Sequence, residues 1–512
     1  MNDAQPEQGA PERFPSGVRG LDVVLGGGFL VSGTYILMGP PGAGKTILGN
    51  QICFHHVANG GRAVYVTLLA ESHSRMLSHI RSLKFFDPAP ISAALTYVSG
   101  YRVLEDQGLA GLLDLVRKLI RDHRATLVVL DGLVSAEAFA PSELVFKKFI
   151  HELNTLVGIV GCTTFLLTNG SARTDCPEHT MVDGLVELSD LYPDARAVRE
   201  LVVRKLRGAD HLRGRHAFEI TDEGVVVHPR LEAVVARAAA PRGDDRIVPF
   251  GVDGLDQVLG GGVRGGTTTM LLGPSGSGKT SLGTAFLVHG AELGEPGVYF
   301  GFHEAPTRLT ADAAHVGVAL DEHAASGRIR IVRVQPGELL SDAVAEHLLD
   351  CVRATGARRL FLDGLAGFTS ALVFPSRLMR FFSALATALR ALDVTTVFSQ
   401  ETRVLFGPGI EVPHDGLSAS ADNAIFVRQV EDAAGLRRIL VVLKSRGAPV
   451  DGRIRELELG PRGVRLGAPF DARAEGLLLG VVHHRPGDAP RPARSRAAAR
   501  AKPKGRRPAR RK

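Results

Sequence analysis

The chain has 512 residues, of which 45% are hydrophobic and 22% are charged, and its formal net charge is +7. Since no apolar run approaches the ~18–20 residues needed to span a bilayer, we exclude a membrane-spanning class and expect a globular protein. The polar segment 1–12 does not read as a secretory signal, and the four cysteines form no C-x-x-C pair, which together predict a disordered N-terminus and a cytoplasmic location.

A phosphate-binding pattern occurs twice in the chain. Two segments, Gly39–Thr46 and Gly273–Thr280, match G-x-x-x-x-G-K-[ST] and follow the apolar, strand-like runs Tyr35–Met38 and Thr269–Leu272. The glycines let backbone N–H groups turn toward phosphate, the lysine reaches the β- and γ-phosphates, and the threonine hydroxyl ligates Mg²⁺. The predicted phosphate-binding residues are Gly39, Gly42, Gly44, Lys45, Thr46, Gly273, Gly276, Gly278, Lys279 and Thr280.

The repeat is longer than the loop. Gly17–Gly28 matches Gly251–Gly262 at ten of twelve positions, with the same offset of 234 residues that separates the two loop lysines. A period this long indicates tandem domains. We predict a first domain at 13–235, a linker at 236–245, a second domain at 246–470 and a C-terminal extension at 471–512.

Within each repeat, apolar runs alternate with helical stretches. Ala63–Leu69, Leu127–Leu130 and Thr164–Leu167 alternate with helical segments such as Gly108–Asp122, which predicts an α/β fold with a mostly parallel sheet between helices. Asp131 and, in the second repeat, Asp363 end strands expected beside the loops, where a carboxylate that supports Mg²⁺ is needed.

Hydrolysis also needs a group that activates water. Glu71 and Glu304 lie 26 and 25 residues beyond the two lysines and are the predicted catalytic carboxylates. A second interpretation of each is a solvated glutamate at the start of a helix. The ends of the next strands offer polar sensors for the γ-phosphate, which we assign to Thr168 and Asn169 in the first repeat and to Ser399 and Gln400 in the second.

These segments together resemble the KaiC family, ATPases of the RecA superfamily. The resemblance runs from about Phe14 to Leu466 and includes the Gly-Leu-Asp openings, both loops, the Asp-Gly-Leu strand ends and two Lys-x-Arg-Gly segments. It implies two RecA-like P-loop domains, ATP with Mg²⁺ as ligands, and a ring of identical subunits, expected to be a hexamer, that signals to a protein partner.

The resemblance also implies roles for particular residues. The cations that would reach a neighbouring subunit's γ-phosphate are Lys205, Arg207, Lys444 and Arg446, and the further nucleotide-side positions are Ser82, His211 and Asp222. The second repeat has His315 and Val450 where the first has Ser82 and His211, so its nucleobase side departs from the family.

Two further departures concern chemistry. Where the family has adjacent glutamates, this chain has Ala70-Glu71 and His303-Glu304, which keeps one carboxylate in each repeat. The family's adjacent Ser and Thr phosphorylation sites correspond to Ser418 and Ala419. Ser418, with Ser420 nearby, is therefore a candidate for autophosphorylation, and the family's two-site cycle is not expected.

The last residues are strongly basic. From Arg485 onward the chain has twelve Lys or Arg and one Asp, so the remainder carries a net charge of about −4. This composition predicts a disordered tail that attracts polyanions through charge, including nucleic acid without sequence preference, or that serves only solubility. We therefore expect a ring-forming ATPase, and we keep two alternatives: a DNA-associated ATPase anchored by the tail, and a weakly hydrolysing nucleotide-gated scaffold.

Overall fold

The computed structural model of the chain describes residues 12–69, 73–170, 178–193, 196–237, 245–335, 339–402, 421–432, 435–446 and 451–469. In this part of the chain, no helix combines the length and the apolar character needed to cross a membrane. The N-terminal segment, part of the linker, and the C-terminal extension beyond Pro469 lie outside the described residues.

The first repeat alternates strands and helices. Its strands are β1 (Arg13–Phe14), β2 (Phe29–Leu30), β3 (Thr34–Gly39), β4 (Ala63–Thr67), β5 (Leu95–Ser99), β6 (Leu127–Asp131), β7 (Thr163–Asn169), β8 (Gly184–Leu191), β9 (Val198–Leu206), β10 (His216–Thr221) and β11 (Gly224–His228). Its helices are α1 (Leu21–Val24), α2 (Lys45–Ala58), α3 (His73–Ile80), α4 (Tyr101–His123), α5 (Leu133–Ala138), α6 (Glu143–Val160), α7 (Glu178–Met181) and α8 (Leu231–Val235).

The second repeat follows the same order. Its strands are β12 (Ile247–Val248), β13 (Val263–Arg264), β14 (Thr268–Gly273), β15 (Gly297–Gly301), β16 (Ile329–Arg333), β17 (Arg359–Asp363), β18 (Thr395–Glu401), β19 (Asn423–Asp432), β20 (Gly435–Lys444), β21 (Arg455–Gly460) and β22 (Gly463–Pro469). Its helices are α9 (Leu255–Val258), α10 (Lys279–Glu292), α11 (Pro306–His315), α12 (Leu320–Ala325), α13 (Ser341–Thr355), α14 (Leu365–Ala371), a 3₁₀ turn (Pro375–Arg377) and α15 (Leu378–Ala391).

Within the described residues, each repeat builds one nine-stranded sheet, with strand orders β11-β10-β9-β8-β3-β7-β6-β4-β5 and β16-β15-β17-β18-β14-β19-β20-β21-β22. The six strands from β5 to β8 are parallel, as are those from β16 to β19, and the remaining strands of each sheet are antiparallel. Buried apolar residues cover both faces of each sheet. The predicted fold class is therefore confirmed.

The repeated glycine-rich opening has a structural explanation. Asp22 accepts a hydrogen bond from the Ser16 backbone N–H at 3.0 Å, and Asp256 accepts one from the Phe250 backbone N–H at 2.6 Å. Each aspartate therefore stabilises the turn at the start of its domain. Gly28 has φ 108°, and a Cβ there would lie 2.5 Å from the Phe14 carbonyl oxygen. These positions are repeated because the turn geometry requires them.

The two repeats are joined by a polar interface. On the first-domain side it is formed by β10, β11 and α8, and on the other by α13 and the 3₁₀ turn. Arg377 binds both Glu232 and Asp342, at distances of 2.7–3.0 Å. Leu231 of α8 is buried in an apolar cluster of the second domain. α8, the last helix of the predicted first domain, therefore packs against the second domain.

Candidate functional site

Each predicted phosphate-binding loop connects the end of a central strand to a long helix. β3 and β14 end at Gly39 and Gly273, and α2 and α10 begin at the loop lysines. Gly44 precedes Lys45 with φ 96°, and its counterpart Gly278 has φ 104°. This left-handed conformation favours glycine and lets the chain enter the helix with its N–H groups facing the loop.

The two lysines have the same partners. Lys45 Nζ donates hydrogen bonds to the carbonyl oxygens of Gly39 at 2.8 Å and Pro40 at 2.9 Å, and Lys279 bonds the matching oxygens of Gly273 and Pro274. Burial lowers the pKa of both lysines, while nearby carboxylates oppose that shift. Each amine is thus held at the mouth of its loop, where phosphate oxygens would replace carbonyl oxygens as partners.

A hydroxyl and a carboxylate meet beside each lysine. Thr46 Oγ1 donates to Asp131 Oδ2 at 3.0 Å, and Thr280 Oγ1 donates to Asp363 Oδ2 at 2.9 Å. Mg²⁺ prefers such oxygen ligands and commonly binds through one or two carboxylates together with substrate phosphates. The donor set therefore fits Mg²⁺, which would be held by the threonine hydroxyl with support from the aspartate.

A tyrosine that sequence analysis missed holds each aspartate. Tyr65 OH donates to Asp131 Oδ2 at 2.8 Å, and Tyr299 OH donates to Asp363 Oδ2 at 2.9 Å. Burial, followed by the aspartate charge, raises the pKa of both tyrosines well above its usual value, so both remain protonated donors. Both tyrosines lie 20 residues after the loop lysine, and this shared spacing is the signal that could have identified them.

The second cleft is open and lined with polar groups. It has a volume of about 680 Å³ and includes Lys279, Thr280, Glu304 and Asp363 in its lining. Clefts of about 300–1,000 Å³ are typical of small-molecule sites. The size and the lining both fit a nucleotide.

Glu304 projects into this second cleft and is half-buried. Burial is the main effect that raises the pKa of its carboxyl, and the charges of Asp363 and Asp312 raise it further. A raised pKa moves a carboxylate toward the range in which it accepts a proton effectively. Glu304 is therefore placed to activate water.

The first cleft differs at this position. Thr67 pairs with Asp131 as Gly301 pairs with Asp363, so the two strands share one register. Three residues beyond Gly301 is Glu304, whereas three residues beyond Thr67 is Ala70, and Glu71 comes one residue later. Residues 70–72, including Glu71, lie outside the described residues. Counted from the matching strand ends, the sequence positions of Glu71 and Glu304 therefore agree only to within one residue.

The predicted sensor residues are also offset between repeats. β7 and β18 pair with the loop strands so that Asn169 faces Gly39 and Glu401 faces Gly273, which makes Thr168 the counterpart of Gln400. Ser399 corresponds to Leu167 and not to Thr168. Its hydroxyl donates to Asp363 Oδ1 at 2.6 Å and accepts from the Gly364 N–H at 2.8 Å. Ser399 thus positions the second aspartate, an interaction that Leu167 cannot make.

The four cations predicted to reach a neighbouring subunit's γ-phosphate lie away from the phosphate-binding loop of their own repeat. Lys205 pairs with Leu185, and Leu185 lies beside Ile36 near the start of β3, roughly 10 Å along the strand from Gly39. Its amine donates to the carbonyl oxygens of His179 and Thr180, both at 3.0 Å.

The other three cations follow the same pattern. Lys444 donates to the Ala421 carbonyl oxygen at 2.6 Å. Arg446 donates to Asp422 at 3.2 Å and Arg207 to the Thr180 carbonyl oxygen at 2.8 Å. Burial lowers the pKa of Lys205 and Lys444, and the neighbouring arginine lowers each further. In each repeat the two cations lie side by side at the end of the strands that is opposite the phosphate-binding loop.

The remaining predicted positions fall into two places. Asp222 lies in the turn between β10 and β11 and binds Lys84 Nζ at 2.8 Å, and exposed Ser82 precedes Lys84 in the turn after α3. His211 instead lies by the Val203 backbone, and burial and the charge of Arg213 lower the pKa of its imidazole. In the second repeat, exposed His315 ends α11, and Val450 lies outside the described residues, as do Ser418, Ala419 and Ser420.

The sequence of this chain also matches known proteins over most of its length. The model of a family described as "ATPase: KaiC" matches residues 14–232 and 248–469. The chain belongs to the KaiC ATPase family. Each matched range contains one of the two loops together with its Thr–Asp pair.

Similar proteins span nearly the whole chain at low identity. The circadian clock protein KaiC3 of Synechocystis sp. is 24% identical over 492 residues, which cover 92% of this chain and 94% of that protein. The circadian clock oscillator protein KaiC of Parathermosynechococcus lividus is 23% identical over 479 residues, which cover 90% and 86%. The KaiC of Thermosynechococcus vestitus is 24% identical over 493 residues, which cover 93% of each chain. This KaiC-family protein is thus a nucleotide-binding P-loop ATPase by descent.

Proposed function

We propose that this KaiC-family protein binds ATP with Mg²⁺ at both clefts and hydrolyses it between the subunits of a homo-oligomeric ring, a hexamer by family likeness. Turnover would change the ring's conformation and so signal to a protein partner. The observation that carries this proposal is the twofold assembly of lysine, threonine, aspartate and tyrosine at the ends of equivalent strands. This arrangement supplies the contacts that a triphosphate and its metal need.

The position of the basic pairs supports hydrolysis between subunits. Lys444 and Arg446 are held at the edge of the sheet opposite Lys279. A cation that stabilises the transferring phosphoryl group must approach the γ-phosphate directly. From this edge the pair reaches a phosphate only on another copy of the chain, which explains why the site would be complete only in an oligomer.

A mixing experiment tests this arrangement. One full-length variant carries Lys45→Ala and Lys279→Ala, and the other carries Lys45→Ala, Lys444→Ala and Arg446→Ala, so each alone lacks a complete second site. Random mixed rings should recover about a quarter of the activity of the Lys45→Ala parent, because one interface in four combines the intact halves. If native mass spectrometry shows mixed rings and no activity returns, the cations do not act in trans.

We assign the better-equipped hydrolytic centre to the second cleft. Glu304 lines that cleft with a raised pKa. Its predicted counterpart Glu71 lies four residues after Thr67 in the sequence, whereas Glu304 lies three residues after Gly301, the residue that matches Thr67 in register. Glu71 remains the candidate base of the first cleft. Comparing the turnover of Lys45→Ala and Lys279→Ala proteins tests this assignment, which fails if the protein with only the first cleft intact is the faster.

Serine autokinase activity is a further part of the proposal. It rests on the sequence correspondence of Ser418 and on the nearby hydroxyl of Ser420. Incubation of the full chain with ATP and Mg²⁺, followed by mass spectrometry of digests, should place phosphate on one of these serines. Unmodified peptides after prolonged turnover would remove autophosphorylation from the proposed function and leave the ATPase.

The basic tail favours a second candidate, an ATPase that acts on nucleic acid. Twelve Lys or Arg residues from Arg485 onward would bind phosphate backbones through charge. ATPase activity stimulated by DNA, with stimulation lost as salt rises, would favour this candidate. Turnover that is indifferent to DNA, with and without residues 485–512, would favour the signalling ring.

A further inference from the structure

Glu401 ends β18 beside the second phosphate-binding loop. Its Cα pairs with that of Gly273, the first residue of the loop, and the next residue, Thr402, donates its N–H to the Gly273 carbonyl oxygen at 3.2 Å. The same carbonyl oxygen accepts a hydrogen bond from Lys279 Nζ at 2.8 Å. The backbone therefore fixes Glu401 next to the residue that holds the lysine.

The carboxylate of Glu401 faces the cleft. It lines the cavity together with Lys279, Glu304 and Asp363, and it is exposed to solvent at the cavity's edge. Of the charges that favour protonated Lys279, Glu401 contributes the most and Asp363 the next most. No role was assigned to Glu401 from the sequence, because the sensor residues were placed at Ser399 and Gln400.

The first cleft has a neutral residue at the same place. Asn169 pairs with Gly39 as Glu401 pairs with Gly273. Among the described residues, Asp131 supplies the charge that favours the protonated form of Lys45. The loops, lysines, threonines, aspartates and tyrosines of the two clefts match, so this exchange of an amide for a carboxylate changes the charge around the lysine while its hydrogen bonds stay the same.

We propose that Glu401 competes electrostatically with nucleotide phosphate for Lys279 and so weakens triphosphate binding at the second cleft. Since it acts through Lys279, Glu401 is a positioning residue. The inference rests on the proposed binding of ATP there. A carboxylate beside the loop stabilises the lysine when phosphate is absent and repels phosphate oxygens when they arrive. Asn169 exerts no such repulsion, so the first cleft retains nucleotide more tightly than the second.

Calorimetric titration of full-length protein with Mg²⁺ and a non-hydrolysable ATP analogue tests the inference. In a Lys45→Ala background, which leaves only the second cleft, Glu401→Gln should lower Kd about fivefold at low ionic strength, and Glu401→Asp should keep the Kd of its parent. The effect should shrink toward none at about 1 M salt, where the Debye length is ~3 Å. A merely structural role would not vary with salt in this way.

The reciprocal exchange provides the matched control. In a Lys279→Ala background, which leaves only the first cleft, Asn169→Glu should raise Kd about fivefold. If the Lys45→Ala parent binds no analogue, both the proposed function of the second cleft and this inference are overturned. If the parent binds and Glu401→Gln binds no more tightly, or if Glu401→Asp behaves like Glu401→Gln, the inference alone fails.

Discussion

The two clefts of this chain share the arrangement of hydrogen bonds around one aspartate and differ in the residues near it. In both, a threonine hydroxyl and a tyrosine hydroxyl donate to one aspartate oxygen. The second cleft adds Ser399 on the aspartate's other oxygen, Glu304 in the cavity and Glu401 beside the lysine. By strand register, Ser399 and Glu401 correspond to Leu167 and Asn169 of the first cleft. The two repeats therefore share the residues predicted to bind phosphate and metal and differ at positions around them.

The largest expected effect is on the rate of ATP hydrolysis at the second cleft. In a Lys45→Ala background, Glu304→Gln should lower kcat by roughly 10²–10⁴-fold, because it removes a general base and keeps the side chain's volume. In the Lys45→Ala parent, which retains Glu304, the acid limb of the pH–rate profile should lie at higher pH than is ordinary for a glutamate, because the pKa of Glu304 is raised. Steady-state ATPase assays measure both quantities, and unchanged turnover would leave the second cleft without its proposed base.

The second effect concerns the interface between the two domains. Arg377→Met should destabilise the docked domains by about 3–5 kcal/mol, because Asp342, which is 3% exposed, loses its charge partner. Chemical unfolding of the full chain measures the loss. The control is Arg453→Met, which removes an exposed pair with Asp451 and should leave stability unchanged. Equal effects of both substitutions would show that the interface is not held by Arg377.

The third effect is a pH dependence at the same interface. His228 lies between Glu219 at 3.1 Å and Glu346 at 2.8 Å, and these carboxylates raise its pKa to about 9 despite burial. A pKa above the ordinary 6.5 means that the folded protein binds the proton more tightly than the unfolded chain does. The stabilisation is therefore complete below about pH 6.5 and is lost as pH rises to about 9.

Unfolding measured from pH 6 to pH 10 should show this decline, by about 1–3 kcal/mol in total. His228→Gln should remove that part of the slope, since glutamine cannot be protonated. The second repeat has Gly467 at the matching register position, so no equivalent slope is expected from it. A slope that persists in His228→Gln would assign the pH dependence to other groups.

The smallest effect tests the added support of the second aspartate. Ser399→Ala should lower stability by about 1–2 kcal/mol, because it leaves Asp363 Oδ1 and the Gly364 N–H each without a buried partner. Thermal unfolding of the full chain measures the change. Ser370→Ala, which removes an exposed hydroxyl that bonds within its own helix, serves as control and should have little effect. Matching losses in the two variants would mean that Ser399 does not position Asp363.

Local pattern predicted much of this protein. The placement of each loop between a strand and a helix, the aspartates at strand ends and the alternation of strands and helices all depend on residues close in sequence, and the fold confirmed them. The family, too, could be identified from motif order, and the match over both ranges confirmed it. The roles assigned to the individual site residues, from the loop lysines and Glu304 to Glu71, the basic pairs and the serines, stay predictions.

The register between strands was not readable from spacing. Counting from the lysines pairs Glu71 with Glu304 only to within one residue. Ser399 was paired with Thr168 for the same reason, whereas the backbone hydrogen bonds align it with Leu167. Side chains in a strand alternate between faces, so an error of one position moves a group from the cleft to the opposite side.

By itself, the sequence determined that the chain holds two P-loop domains, because glycine, lysine and threonine at a set spacing admit few other conformations. Only the tertiary structure decided which charges surround each lysine, which tyrosines hold the aspartates and which residues join the domains. Those contacts link positions from 64 to 145 residues apart in the chain. Contacts of that range follow from the packing of whole strands and helices, and no local pattern encodes them.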